Sequence, residues 1–245
     1  MVCKAIIFDY IGTLVTPINY SMDDSMAKLH SALKAEGFEV GKEKFLEAYK
    51  VSHEKYRLVR YGQLREVTNA VWVSEALNSL GFCTKVDDAK IKSALNVFFK
   101  DFIDTFELRI DANILLKLAS GHCKVTLISN FTYAPVIYCS LRQLGIKRFF
   151  QLVVVSDACG WRKPSQNIFN QTLEKLHVTP QEAIFVGDSP SEDIKGAMDA
   201  GLKTVFVQSQ FNSLADLDAS GLKPDFVFKD LSDFCRKFSQ VTESF

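Results

Sequence analysis

The sequence predicts an α/β fold, a doubly wound parallel sheet with an all-helical module inserted into it. Two observations carry that prediction. Short apolar runs alternate along the chain with segments of helical spacing. One long stretch, from about Ser21 to Phe106, breaks the alternation and carries helical spacing alone. The first apolar run is Lys4–Phe8. Further runs follow at Val125–Ile128, Leu152–Val155, Ala183–Val186 and Thr204–Val207, with a weaker one at Phe226–Phe228. They are rich in Val, Ile and Phe without polar alternation, as suits strands buried on both faces. Between them, helices are expected over Tyr133–Leu144, Ser165–Leu176 and Ser191–Ala200. Gly145 and Gly201 stand just past two of these, where a helix stops, and Pro164 precedes the third. In the inserted stretch, helices are expected at roughly 21–36, 42–60, 65–80 and 87–104, with Gly37 and Gly81 closing the first and third. Leu29, Leu33, Phe45, Tyr49, Tyr56, Val71, Leu77, Leu80, Ile91, Leu95 and Phe98 supply their apolar positions. The expected organisation is an α/β core over 1–18 and 107–245 and a helical module over 19–106. Residues Ser239–Phe245 are expected to fray.

Composition narrows the function. The 245 residues are 47% hydrophobic and 24% charged, as in an ordinary globular chain. Lys and Arg total 29, as do Asp and Glu, so the net charge is zero. A broad electrostatic footprint for nucleic acid or an anionic membrane is therefore not expected. No apolar run approaches a membrane span of about 20 residues. Met1-Val2-Cys3-Lys4 leads straight into the first run, with no signal-peptide pattern, so a cytoplasmic protein is expected. The six cysteines form no Cys-x-x-Cys pair and no zinc-site spacing, and read as reduced structural thiols.

Ligands of an open parallel sheet bind beyond the carboxyl ends of its strands. The residues in those places are informative. Asp9-Tyr-Ile-Gly-Thr13 follows the first run and Ser129-Asn130 the second. A loop after the third leads to Lys163-Pro164, and Gly187-Asp188-Ser189 follows the fourth, with Asp193 five positions past Asp188. Carboxylates, a hydroxyl and an ammonium should thus converge on one edge. Crowded carboxylates repel unless a cation joins them, and oxygen ligands suit Mg²⁺. Ser129 and Lys163 suit an anion held beside it, with phosphate the natural candidate. Asp9 is then placed as a nucleophile. Tyr10 should point away from the site, because neighbours alternate faces along extended chain. The inserted module leaves from the same edge and could cover the site.

These residues resemble the motifs of the haloacid dehalogenase superfamily, over nearly the whole chain. The motif D-x-D-G-T corresponds to Asp9-Tyr10-Ile11-Gly12-Thr13, the strand-ending Ser or Thr to Ser129, Lys-Pro to Lys163-Pro164, and G-D-x-x-x-x-D to Gly187-Asp188 and Asp193. The insertion is similar to the type-one cap of subfamily I, and the core to a Rossmann-like sheet. The resemblance implies a Mg²⁺ site at Asp9, the Ile11 carbonyl, Asp188 and Asp193, and catalytic roles for Asp9, Ser129 and Lys163. Substrate binding would fall to Thr13, Ser129, Asn130 and Lys163, with Arg60 of the insertion a candidate for a substrate anion.

The departure is Ile11, where phosphatases of the family carry the Asp that protonates the leaving oxygen and later deprotonates water. Loss of a general acid/base costs about 10²–10⁴-fold. Three readings follow. The first is a Mg²⁺-dependent small-molecule phosphatase working through an aspartyl phosphate at Asp9, weak or supplied with a proton from His53, Lys55, Tyr56, Arg57, Arg60, Tyr61 or Glu66. Its other form takes a substrate with a good leaving group, such as an acyl phosphate. The second is a 2-haloacid dehalogenase or phosphonate hydrolase, and the third an impaired descendant that binds a phosphorylated ligand or a protein. The expected partner is a phosphorylated small molecule, with no nucleic acid and no membrane, and the chain a monomer or homodimer. Trp72 and Tyr49 read as core of the helical module rather than pocket lining, and Arg162 as either a ligand contact or solvated.

Overall fold

The computed structural model describes residues 3–244. Eight strands form: β1 Ala5–Phe8, β2 Val15–Pro17, β3 Phe106–Leu108, β4 Lys124–Ser129, β5 Leu152–Val155, β6 Ala183–Gly187, β7 Lys203–Val207 and β8 Phe226–Phe228. Six of them make one sheet in the order β5-β4-β1-β6-β7-β8, parallel throughout. The strand order reverses at β1, with β4 on one side and β6 on the other. A doubly wound sheet offers its ligand crevice at such a reversal. Every residue of β1 is fully buried, which is why Ala-Ile-Ile-Phe carries no polar alternation.

The chain divides into two compact units, residues 1–16 with 107–245, and Pro17–Phe106. The first holds the sheet. Its helices are α5 Ala112–His122, α6 Ala134–Gln143, α7 Ser156–Cys159, α8 Gln166–Leu176, α9 Lys195–Asp199, α10 Leu214–Ser220, α11 Leu231–Arg236 and α12 Phe238–Thr242, numbered after four of the other unit. Its core includes Ile7, Ile128, Phe169, Leu173 and Phe185.

The other unit is built from α1 Met22–Ala35, α2 Lys42–Gln63, α3 Asn69–Ser79 and α4 Ala89–Asp104. Leu29, Leu33, Phe45, Trp72, Leu77, Ile91, Leu95 and Phe98 are buried in it. Ser21 and Asp88 cap α1 and α4 by accepting from the N–H groups of Asp24 and Lys90.

Three expectations are corrected, and one feature not expected is added. The helix expected at 65–80 starts only at Asn69, because Leu64 turns left-handed and Thr68 is extended. A short strand pair, β2 with β3, lies where the chain leaves and re-enters the sheet unit; two three-residue strands give too little pattern to read. The helix expected from Ser191 opens as a π-helical turn over Pro190–Ile194, in which the Ile194 N–H reaches the Ser189 carbonyl at 3.1 Å. The tail expected to fray is helical to Thr242, since Phe238 and Val241 are buried and Lys203 donates to Ser244. Phe245 of that tail, like Met1 and Val2, lies outside the described residues. No helix among the described residues is long and apolar enough to cross a membrane. All six cysteines are free thiols.

Candidate active site

Strand ends build the site. Asp9 stands one residue past β1, held in line by its N–H, which donates to the Val186 carbonyl at 2.8 Å. Ser129 ends β4 and is 2% exposed. Asp188 follows the last residue of β6. Lys163 arrives from the loop after β5 and α7, and its side chain is buried. Its Nζ donates to Asp9 Oδ1 at 2.6 Å and lies 2.6 Å from Asp193 Oδ1.

Oxygens of Asp9, Asp188 and Asp193 all lie within 4.8 Å of one another. Three carboxylates therefore face one ammonium. Burial pushes the Asp9 carboxyl up from its ordinary value, against the pull of Lys163 and with the push of Asp188. Burial raises Asp193 further, and Asp9 and Asp188 add to it while Lys163 opposes. Burial alone would push the Lys163 ammonium down, but Asp193 and Asp9 outweigh it and hold it above the lysine range.

Each carboxylate is oriented by named donors. Asp193 Oδ2 accepts from the N–H groups of Asp188 and Ser189 at 3.1 and 3.0 Å. Asp188 Oδ1 accepts from the Thr13 hydroxyl at 3.1 Å, and its Oδ2 from Ser209 at 2.6 Å and Asn212 at 3.0 Å. Asp9 Oδ2 is buried with no hydrogen-bond partner. Two glycines make room for this packing. Gly12 has φ +101°, and a Cβ there would fall 2.5 Å from Asp188 Oδ2. A Cβ on Gly187 would meet the Asp193 side chain at 2.5 Å.

Above these groups lies a cleft of about 370 Å³, whose lining includes Asp9, Ile11, Ser129, Asn130, Asp188 and Asp193. The structure thus brings Asp9, Ile11, Ser129, Asp188 and Asp193 to one cleft, with Lys163 beneath and Thr13 behind Asp188. Asn130 also reaches the cleft, but its side chain is engaged. Its Oδ1 accepts from the Lys163 N–H at 2.8 Å, and its Nδ2 donates to the Lys163 carbonyl at 3.0 Å and to Glu192 at 2.8 Å. Arg162 is 3% exposed and bonds Glu192 at 3.0 Å, so it is not solvated. Tyr10 points away, buried, with its hydroxyl 2.9 Å from Ser140.

Arg60 belongs to the helical unit. Its Nε donates to Glu66 at 2.7 Å, and its guanidinium lies over the Trp72 ring. Trp72 is buried there, with His53 edge-on to it and stacked on Tyr49.

Sequence reasoning missed four contributors. Ser209 and Asn212 stand just past β7, where reading beyond the fifth apolar run would have found them. Glu192, beside Asp193, ties Asn130 to Arg162. Arg109 had no signal. Its guanidinium donates to the carbonyls of Gly12 at 2.6 Å, Thr13 at 3.2 Å and Gln208 at 2.6 Å, clamping the loop after β1 to the loop after β7.

A parallel sheet ordered about β1, with a carboxylate cluster and a buried lysine at its carboxyl edge, defines the haloacid dehalogenase class of fold. Residues 160–234, the span holding Lys163, Asp188 and Asp193, match the family model described as HAD-hydrolase-like. The fold superposes on the 2-haloacid dehalogenase of Pseudomonas syringae pv. Tomato DC3000 with a TM-score of 0.66 and 21% identity, covering 98% of this chain and 100% of that one. With the magnesium-bound HAD-hydrolase YfnB of Bacillus subtilis the TM-score is 0.61 at 17% identity, covering 99% and 100%. A glyceraldehyde 3-phosphate phosphatase of Methanopyrus kandleri is 44% identical over 68 residues, 28% of this chain and 29% of that protein. The chain spans about a third of the length of the first curated relatives it matches. The chain thus shares the fold of haloacid dehalogenase-like hydrolases, and its residues 160–234 match their family model.

Proposed function

We propose that the chain is a Mg²⁺-dependent hydrolase of small phosphate monoesters, with Asp9 as nucleophile. The observation that carries this reading is the pairing of a buried three-carboxylate cluster with a single buried ammonium. Two negative charges in excess are costly inside a protein unless a cation joins them. The unpartnered Asp9 Oδ2 and the all-oxygen donor set fit Mg²⁺. Asp9, the Ile11 carbonyl and Asp188 would hold the ion, with Asp193 in support. Bound there, it supplies neutralisation of charge on the transferred phosphoryl oxygens.

The residues of the chain do the rest. Lys163 steadies the Asp9 carboxylate through Oδ1, and Asp9 attacks phosphorus in line with the departing group. Ser129 offers a hydroxyl to a phosphoryl oxygen, and Asn130 fixes the Lys163 backbone. The phosphorylated Asp9 is then released by water. Thr13, Ser209 and Asn212 keep Asp188 turned toward the site. The relative of Methanopyrus kandleri, a phosphatase, supports phosphate as the group transferred.

The test is phosphate release from acetyl phosphate and p-nitrophenyl phosphate, with Mg²⁺ or with chelator, beside Asp9→Asn. The expected result is release that needs both Mg²⁺ and Asp9. Absence of release from both compounds would overturn the reading. Halide release from 2-chloropropionate would then favour dehalogenation, and thermal stabilisation by Mg²⁺ and phosphate without turnover a binding protein.

A further inference from the structure

The cleft has a polar floor and an apolar wall. The wall is made by Ile11, Phe131 and Phe211. Phe211 stands between β7 and α10, half-exposed, with its side chain in the cleft lining. Its placement is fixed. The Phe211 N–H donates to Ser209 Oγ at 2.9 Å, and that same hydroxyl donates to Asp188 Oδ2. The turn that orients the carboxylate therefore also presents the ring at the cleft.

The cleft is poor in general acids. Among its described lining residues there is no histidine, tyrosine or cysteine. Its carboxylates are all engaged: Asp9 and Asp193 by Lys163, Asp188 by Thr13, Ser209 and Asn212, and Glu192 by Asn130 and Arg162. Ile11, beside the nucleophile, has no exchangeable proton. An alkoxide leaving without a proton is penalised by about 10²–10⁴-fold. A phenolate leaves as a stabilised anion and escapes most of that penalty. A flat ring also finds in Phe131 and Phe211 the partners that aromatic surfaces prefer.

We propose that the substrate class of this site is the phosphate monoester of an aromatic alcohol, with the phosphoryl group on the carboxylate floor and the ring against Phe131 and Phe211. The inference rests on the phosphohydrolase reading above. In the first step a bond forms between an Asp9 oxygen and phosphorus. The bond from phosphorus to the aryl oxygen breaks, and its electron pair leaves with the phenolate. Water then attacks the phosphorylated Asp9, its proton passes to solvent, and inorganic phosphate and the Asp9 carboxylate are released.

Four substrates separate the contributions. Phenyl phosphate has a ring and a good leaving group, benzyl phosphate a ring and a poor one, acetyl phosphate a good leaving group without a ring, and ethyl phosphate neither. With the full chain and Mg²⁺, kcat/KM for phenyl phosphate should exceed that for ethyl phosphate by about 100-fold. Benzyl phosphate should show a lower KM than ethyl phosphate at a similarly low kcat. Phe211→Ala, at a half-exposed position, should lower the phenyl-to-acetyl ratio of kcat/KM by about tenfold. Equal turnover of phenyl and ethyl phosphate, or a ratio unmoved by Phe211→Ala, would overturn the aromatic assignment. Acetyl phosphate turnover would leave the phosphohydrolase reading standing in that case. No phosphate from any of the four would overturn both.

Discussion

At Ile11 the proposed phosphate site carries a side chain with no proton to exchange. The residue lines the cleft beside Asp9, and its neighbour Gly12 admits no other side chain because Asp188 fills the space a Cβ would take. Ile11→Asp therefore changes the chemistry with little demand on the backbone. We expect it to raise turnover of an alkyl phosphate such as ethyl phosphate by about 10²-fold, and that of acetyl phosphate far less. Steady-state rates on the two substrates check this. An unchanged alkyl rate in a folded variant would mean that the cleft does not place the leaving oxygen beside position 11. The new carboxyl would join an already negative cluster, so dependence on Mg²⁺ should also steepen.

Between elements, the site depends on loops held by groups far away in sequence. Arg109 follows β3 and clamps carbonyls 97, 96 and 99 positions from it. Its donors fix the Gly12-Thr13 loop, which presents Thr13 to Asp188, and the start of the loop that carries Ser209 and Asn212. Burial lowers the guanidinium pKa from its usual value, as for a charge held inside the protein to make these bonds. Arg109→Met should cost about 2 kcal/mol in denaturant unfolding, because three carbonyls lose a charged donor. It should also raise the Mg²⁺ concentration needed for half-maximal thermal stabilisation, whereas a purely structural role would leave that midpoint alone. Arg109→Lys should recover part of the stability but little of the midpoint, since a lysine cannot span carbonyls on two loops. The strand ends were legible because fully buried strands announce themselves as apolar runs and the following residue is placed by topology. Arg109 was not legible, because backbone carbonyls leave no mark on the sequence at their own positions. Ser209 and Asn212 lie in between, since they follow the fifth apolar run as Asp9 and Asp188 follow the first and fourth.

On the scale of the whole molecule, every described residue that builds the cleft comes from the unit formed by 1–16 and 107–245. The other unit carries its own buried core in Leu29, Phe45, Trp72, Leu95 and Phe98. The chain ends that join it lie side by side, with the Ile18 N–H donating to the Thr105 carbonyl at 2.9 Å. Replacing 19–104 by a short Gly-Ser linker should therefore close without strain and leave a folded sheet unit. That unit should still be stabilised thermally by Mg²⁺, as scanning calorimetry with and without the ion would show; loss of the effect would place part of the ion's support in the deleted residues. Residue order alone carried the fold class, the succession of strands along the chain and the residues that follow the strands, because burial on both faces dictates composition and parallel connection dictates which ends share an edge. It also determined that position 11 has no proton to give. Which groups are already engaged came from the packed chain: that Asn130 braces Lys163, that Thr13, Ser209 and Asn212 turn Asp188, that Phe211 faces the cleft and that the tail packs as a helix. Those facts depend on contacts between segments far apart in the chain, and distance in space is not written in residue order.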